Sequence, residues 1–490
     1  MDLQSRYNDA KETLEKIDQS QVLQYWDRLD EIEKASLLDE IEGIDWPEVA
    51  RLIETHVKQK PQFELPDNIE PAPWYPYQPT EELRSRYDRA TTLGEELIQQ
   101  GKVAAFTVAG GQGSRLGWDG PKGTFPGTPI RGLTLFACFA EYLQKIKSKY
   151  GVSIPWYVMT SPINDAATKA FFKEENHFGL DPADIMIFPQ AMMPAIDMQS
   201  NKVLLESKSS LALSPNGHGG SLKALWTSGA IADMKKRGVE QISYTQVDNP
   251  IVRMIDPRFI GLHALDDAQM SSKMLPKSFA KEKLGNFCLV DGKVTVIEYS
   301  NLPDELAEQT VSGGADDGEL RFRAGSIALH CIRVDFVESI NTSPEGFSLP
   351  FNRAEKKVAH YDQASGETQT PETPNAVKLE TFVFDALPMC ESSIVYETDR
   401  IDEFAPIKNA DLTDGSGKVE TDSPASSKQI QTERAARWLE ANGVKVQRDG
   451  RGLGSVAGVI EIKQTTAIYP QDLAGLELPA EVKAGDEVLL

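Results

Sequence analysis

The residues Val108-Ala109-Gly110-Gly111-Gln112-Gly113-Ser114-Arg115-Leu116-Gly117, continued by Gly120-Pro121-Lys122-Gly123, are the part of this chain best suited to chemistry. Glycines let the main chain come close to a ligand, so backbone N–H groups can cradle an anion. Arg115 and Lys122 add two cations beside that bare backbone, which suits a polyphosphate. Two common phosphate patterns do not fit. A dinucleotide fingerprint needs its third glycine where this chain has Leu116, and the glycine comes one residue late. A P-loop lysine opens a helix, whereas Lys122 follows Pro121. Neither hydride transfer nor P-loop ATP hydrolysis is supported.

The elements that must hold this loop can be read from apolar patterning. Val103 to Val108 is a continuous apolar run of strand type, directly before the loop. Leu133, Phe136, Ala140 and Leu143 then recur at helical spacing. Strands are expected at 156–159, 185–188 and 242–247, and helices at about 80–100, 163–174 and 221–236. Strands alternating with helices imply an α/β, doubly wound, mostly parallel sheet. Asp291-Gly292 between two strand-like runs predicts a hairpin, so the sheet is expected to be mixed. Ligands of such sheets sit at the carboxyl ends of the strands, where the glycine loop falls. Ahead of this region, residues 1–60 look helical: Val22, Leu23, Trp26, Leu29 and Ile32 share one helical spacing. Pro61, Pro66, Pro71, Pro73, Pro76 and Pro79 then enforce an extended connector, whose Trp74, Tyr75 and Tyr77 should pack onto the body. A polar patch at 409–428, including Asp414, Gly415, Ser416 and Gly417, marks a boundary. The expected division is therefore an N-terminal helical segment with its connector at 1–80, a central α/β domain at 81–409, and a small, β-rich C-terminal α/β unit at 410–490.

Composition narrows the function class. With 490 residues and a net charge of −23, the chain is too acidic to bind nucleic acid or an anionic membrane through its overall field. No signal peptide and no membrane-length apolar run is visible. Cys138, Cys288, Cys331 and Cys390 are far apart and form no C-x-x-C pair, which predicts reduced, buried thiols and a cytoplasmic location. The six histidines form no H-E-x-x-H pattern, which argues against a zinc hydrolase.

The loop motif, with Pro121-Lys122-Gly123, resembles the signature of the UTP-dependent sugar-1-phosphate uridylyltransferases, and within them the UDP-N-acetylglucosamine pyrophosphorylase group. The resemblance continues in order through Trp156–Ser161, Gln190-x-Met192-Met193-Pro194-Ala195, Pro215–Gly220 and Val247-Asp248-Asn249. Asp256–Gly261, Val296–Ser300, Lys378-Leu379-Glu380 and Asp402–Asn409 complete it, over nearly the whole chain. It implies the nucleotide-diphospho-sugar transferase fold and a reaction of UTP with a sugar 1-phosphate that yields a UDP-sugar and pyrophosphate. Mg²⁺ is the implied cofactor. The nucleophile in that reaction is already an anion, so catalysis must come from positioning and from neutralising charge.

By that resemblance, Val108, Ala109, Gly110 and Gly111 hold the nucleotide through the backbone. Arg115 and Lys122 are the catalytic phosphate clamps, and Gln190 and Gly217 read the uracil. Asp248 is a nucleotide and metal ligand, and Lys378 meets the nucleotide phosphates. His218, Gly285, Glu298, Ser326 and Lys408 form the sugar side. Three positions depart from the pattern: His218 and Ser326 each stand where the N-acetylglucosamine enzymes carry Asn, and Asn216 replaces an Asp. The expected acceptor is N-acetylglucosamine 1-phosphate, with glucose or galactose 1-phosphate as alternatives. A non-catalytic UDP-sugar sensor would also keep the loop. A metal-dependent glycosyltransferase is disfavoured because the chain has no Asp-x-Asp. Oligomeric state is not legible.

Overall fold

The computed structural model describes residues 2–490 except 62, 314–316, 345, 348, 363–364, 414–417 and 451. Asp414 to Gly417 of the polar patch thus lie outside the described residues. The chain forms two compact units, each discontinuous in sequence. One comprises Met1–Glu64, Gln190–Ala224 and Ser348–Asp385; the other comprises Leu65–Pro189, Leu225–Phe347 and Ala386–Leu490.

The second unit contains a mixed ten-stranded sheet. Val103–Val108 lies parallel to both Gln241–Gln246 and Trp156–Thr160, and Ile185–Pro189 continues the parallel half. Ala324–Arg333 pairs antiparallel with Gln241–Gln246, Met270–Pro276 and Gly285–Val290, so the other half reverses direction. The mixed α/β sheet expected from the sequence is present. The parallel strands are buried on both faces, which is why Val103–Val108 reads as an unbroken apolar run. Val103, Ala105 and Val158 face a core with Phe136, Phe139 and Ile260, while the Phe106 ring lies 5.5 Å from Tyr244 and 6.2 Å from Phe188. Asp291 and Gly292 both adopt positive φ, 48° and 79°, and close the hairpin between Gly285–Val290 and Lys293–Ile297. The connector is extended: Ile69–Pro71 adds to the sheet edge beside Gly285–Val290, and the Trp74 ring packs 5.1 Å under the Arg323 guanidinium.

Two expectations need correction. Residues 221–236 are not one helix but two, Gly220–Thr227 and Ala230–Arg237, separated where Gly229 takes φ +83°. The stripe from Val22 to Ile32 is not one helix either. It breaks into 3-10 turns at Ser20–Leu23 and Trp26–Arg28, and a helix at Glu31–Glu42 opens with an Asp30–Glu33 capping box. That box starts a new helix axis, which leaves Ile32 81% exposed.

In the first unit, the helices Leu3–Lys16, Glu31–Glu42 and Trp46–Leu52 bury Leu14, Leu37, Leu38 and Leu52 against Ile196, Val377 and Leu379. The last two belong to Ala376–Thr381, the middle strand of a three-stranded antiparallel sheet with Phe351–Lys356 and Ile196–Asp197.

Helices Glu81–Gln99 and Pro257–Leu265 of the second unit touch backbone to backbone. A Cβ on Gly94 would stand 1.8 Å from the Pro257 carbonyl oxygen, and one on Gly261 would stand 1.7 Å from that of Ala90. Neither helix can retreat without opening the core under the sheet. Gly261→Ala should lower unfolding stability by about 3 kcal/mol or more, the upper range for overpacking. Chemical denaturation checks this, and an unchanged midpoint would contradict the close packing.

Candidate functional site

The glycine loop leaves the carboxyl end of Val103–Val108 with its direction fixed by the neighbouring strands. Ala109 N–H donates to the Met159 carbonyl at 2.7 Å, and Val247 N–H to that of Val108 at 3.1 Å. The next three carbonyls all turn inward. Asn164 Nδ2 donates to Ala109 O at 2.9 Å and to Gly111 O at 3.1 Å, and Ser161 Oγ donates to Gly110 O at 2.9 Å. Ser161 and Asn164 are fully buried and bonded to each other, with Ser161 N–H reaching Asn164 Oδ1 at 2.8 Å. A peptide whose carbonyl points inward presents its N–H outward. Among the described residues, the amides of Gly110, Gly111 and Gln112 donate to no protein acceptor. The loop then folds back, with Gly113 N–H on Gly120 O at 3.0 Å and Lys122 N–H on Gly111 O at 3.1 Å, which brings Lys122 beside the cradle. Lys122 opens only a single 3-10 turn, Lys122–Thr124.

Three cations meet next to this cradle. The Lys122 ammonium, 16% exposed, lies 3.7 Å from Asp248 Oδ2. Burial depresses the Lys122 pKa; Asp248 opposes this, while Lys408 and Arg115 lower it further. Lys408 lies 3.6 Å from Asp422 and 5.3 Å from the Phe404 ring centroid. Burial raises the Asp422 carboxyl above the usual carboxylate range; Lys408 opposes that rise and Asp248 adds to it. The structure therefore brings Arg115, Lys122, Asp248 and Lys408 together and adds Asp422, which sequence reasoning missed. Cations close enough to disfavour the Lys122 proton form a site that favours an anion.

The segment carrying Lys408 is held by a buried ionic cluster. Ile407 N–H donates to Asp248 O at 2.9 Å, and Asn249 bridges Glu403 O at 2.6 Å and Ala405 N–H at 3.1 Å. Lys273, 1% exposed, donates to Asp256 at 2.6 Å and to both Glu403 oxygens at 2.8 and 2.6 Å. Arg253 reaches Glu403 at 3.3 Å and Asp402 at 3.0 Å. Burial alone would raise the Asp256 carboxyl, but Lys273 and Arg253 hold it below its ordinary range.

On the antiparallel half, Gly285 and Ser326 are direct cross-strand partners. A Cβ on Gly285 would stand 3.3 Å from Glu298 Oε1 and 3.8 Å from the Ser326 Cβ, so these three expected sugar-side residues share one spot. Burial raises the Glu298 carboxyl above its usual range. Its carboxylate accepts no hydrogen bond among the described residues, which leaves it free for hydroxyl donors.

In the first unit, Gln190, Gly217 and His218 gather at the end of Ala376–Thr381. Gly217 takes φ +59°, and a Cβ there would stand 2.4 Å from Thr381 O, so the turn requires glycine. Gln190 is 5% exposed, and its Oε1 has no hydrogen-bond partner. His218 Nδ1 accepts the Val383 N–H at 3.1 Å, and the ring stacks 5.3 Å from Phe382. Nδ1 is therefore the unprotonated nitrogen, and the neutral ring offers Nε2–H as a donor. Lys378 lies on the same strand, opposite Ala354.

A family model described as UTP–glucose-1-phosphate uridylyltransferase matches residues 50–413. The chain belongs to that family. It is 34% identical over 442 residues to the UDP-N-acetylhexosamine pyrophosphorylase-like protein 1 of Xenopus tropicalis, covering 87% of this chain and 83% of that protein. It is 32% identical over 456 residues to the UDP-N-acetylglucosamine pyrophosphorylase of Saccharomyces cerevisiae, covering 90% and 93%. In fold it matches the crystal structure of the Trypanosoma brucei uridine diphosphate N-acetylglucosamine pyrophosphorylase with a TM-score of 0.78 at 24% identity, covering 96% and 94% of the two chains. The matched region includes the glycine loop.

Desolvation holds the His218 pKa down to about 4, below its ordinary 6.5. Below pH 6.5 the unfolded chain takes up a proton that the folded ring refuses until about pH 4, so folding stability is lost across that window. The His218 ring protons should show no NMR titration shift between pH 8 and about pH 5. A midpoint near the ordinary histidine value would contradict the buried, Val383-bonded ring.

Proposed function

We propose that this protein is a uridylyltransferase that joins UTP to a sugar 1-phosphate, N-acetylglucosamine 1-phosphate first among them, and releases pyrophosphate. The observation that carries this is the glycine loop: unspent amides at Gly110, Gly111 and Gln112, beside a buried Lys122 whose proton Lys408 and Arg115 disfavour, in a chain of the uridylyltransferase family. The names of the curated relatives favour the N-acetylhexosamine acceptor.

In this proposal the amides of the loop receive phosphate oxygens, with Val108 and Ala109 setting its start. Arg115 and Lys122 draw charge off the α-phosphate as the sugar phosphate oxygen attacks and pyrophosphate leaves. Lys408 orients the incoming sugar phosphate, and Lys378 contacts nucleotide phosphate. Gln190, whose buried Oε1 lacks a partner, accepts from the uracil imide N–H, and Gly217 offers its backbone beside it. Glu298 accepts from sugar hydroxyls. Gly285 offers a backbone contact beside Glu298, and Ser326 supplies a shorter hydroxyl and His218 a longer imidazole where the N-acetylglucosamine enzymes carry Asn.

Asp248 fits a divalent cation of the Mg²⁺ type. Its carboxylate is 13% exposed, its nearest cation stands at 3.7 Å and leaves oxygen valence unspent, and hard cations take oxygen donors from one or two carboxylates plus phosphates. When bound, Mg²⁺ would offset negative charge on the triphosphate. The four free, buried cysteines suit a reducing, cytoplasmic setting. No described helix is long and apolar enough to cross a membrane.

Lys122→Ala should cut turnover by about 100-fold or more while leaving the unfolding midpoint close to wild type. Near-normal turnover would remove Lys122 from the mechanism. A panel of N-acetylglucosamine, glucose and galactose 1-phosphates with UTP and Mg²⁺, followed by pyrophosphate release, should give the highest kcat/KM for the N-acetylated sugar. Turnover with none of them, despite UDP-sugar binding, would mark a sensor instead.

A further inference from the structure

A cavity of about 480 Å³ opens in the second unit, walled by Tyr77, Tyr150, Tyr396 and Tyr469 with Arg253 and Arg258. Most acceptors around it are committed. Asp402 accepts from Arg253 Nη2 at 3.0 Å, Tyr77 Oη at 3.1 Å and Trp438 Nε1 at 3.2 Å. Asp256 holds Lys273 at 2.6 Å, and Glu95 accepts from Tyr150 Oη at 3.3 Å. Lys149, also in the wall, is paired with Asp472 at 3.2 Å.

The groups left over are donors. Arg253 is 8% exposed, and its Nε has no hydrogen-bond partner. Tyr469 Oη is buried and equally unpartnered. Arg258 forms no ion pair among the described residues; it spends one donor on the Tyr396 hydroxyl, keeps its others, and its guanidinium lies 5.4 Å from the Tyr87 ring centroid. One ring in the wall already receives cations: Lys149 lies 4.8 Å and Arg253 5.0 Å from the Tyr469 centroid. Unspent donors and flat rings together select a ligand that brings acceptor oxygens and a flat face.

We propose that this cavity binds a small anion carrying a planar ring, an aryl phosphate or aryl carboxylate, and that its occupancy lowers turnover through Arg253. Arg253 is the shared part. Its Nη groups hold Asp402 and Glu403, at the start of the segment that ends in Lys408, and its Nε faces no partner. An anion that recruits this guanidinium weakens its hold on both carboxylates. The Lys408 segment then loses part of its anchor. The effect on turnover rests on the uridylyl-transfer proposal; the binding does not.

The test uses the full chain and phenyl phosphate as probe, with binding followed by ligand-observed NMR. Binding should survive Lys122→Ala, weaken about tenfold in Arg258→Ala and weaken several-fold in Tyr469→Phe, which removes only the unpartnered hydroxyl. No binding to wild type, loss of binding in Lys122→Ala, or wild-type affinity in either cavity variant would overturn the site. Phenyl phosphate should lower kcat while leaving KM for UTP unchanged, and Tyr469→Phe should blunt that inhibition. Binding without inhibition would overturn the coupling through Arg253. If no sugar 1-phosphate supports turnover, the function proposal fails while the binding titration still decides the site.

Discussion

Everything the glycine loop can do depends on which way its peptides face. A main chain carries one donor and one acceptor per residue, and a loop without a bias would expose both. Here the bias comes from two small side chains on the next strand's end. Ser161 and Asn164 consume the carbonyls of residues 109–111, and the opposite sides of those peptides become donors. Without the pair, the carbonyl dipoles would be free to turn outward, where they would repel an anion. Glycine supplies access; the buried Ser–Asn pair supplies polarity.

The second constraint is the cluster of Lys273, Arg253, Asp256, Asp402 and Glu403. Buried ion pairs are seldom a net source of stability, because desolvation costs about as much as attraction returns. Their value lies in specificity of placement, since removing one member strands the others. Here the cluster fixes the segment that ends in Lys408 against Asp248. Geometry near the loop is thus set from behind, by charges that a ligand at the loop does not touch.

Much of this was legible in the sequence, for reasons that also explain what was not. Val103–Val108 announced itself because a strand covered on both faces must be apolar throughout. Asp291-Gly292 announced itself because few residue pairs tolerate two positive φ values in succession. Gly110, Gly111, Arg115 and Lys122 lie in one short loop, so their juxtaposition needed only a local turn. Ser161 and Asn164 were silent because a serine and an asparagine after a strand look like any turn; only the structure shows them facing inward. Lys273 was silent because an isolated lysine normally lies at the surface, and its two carboxylate partners are 17 and 130 residues away. The association of residues 1–64 with 190–224 and 348–385 is likewise a long-range pairing, to which local periodicity is blind. The break at Gly229 was visible as a glycine, but apolar spacing on either side masked it.

A chain of net charge −23 repels polyanions at long range, and salt screens that repulsion within about 10 Å. Capture must then depend on fields that act at contact distance, where desolvation strengthens them. The depressed pKa of Lys122 reports such a field, since burial and two neighbouring cations all disfavour its proton. Asp248 and Asp422, set among the same cations, relieve part of that repulsion. A bound polyphosphate would take over the cations' attention and leave two carboxylates facing new negative charge. Under the proposed function, a divalent cation at Asp248 would offset that new charge.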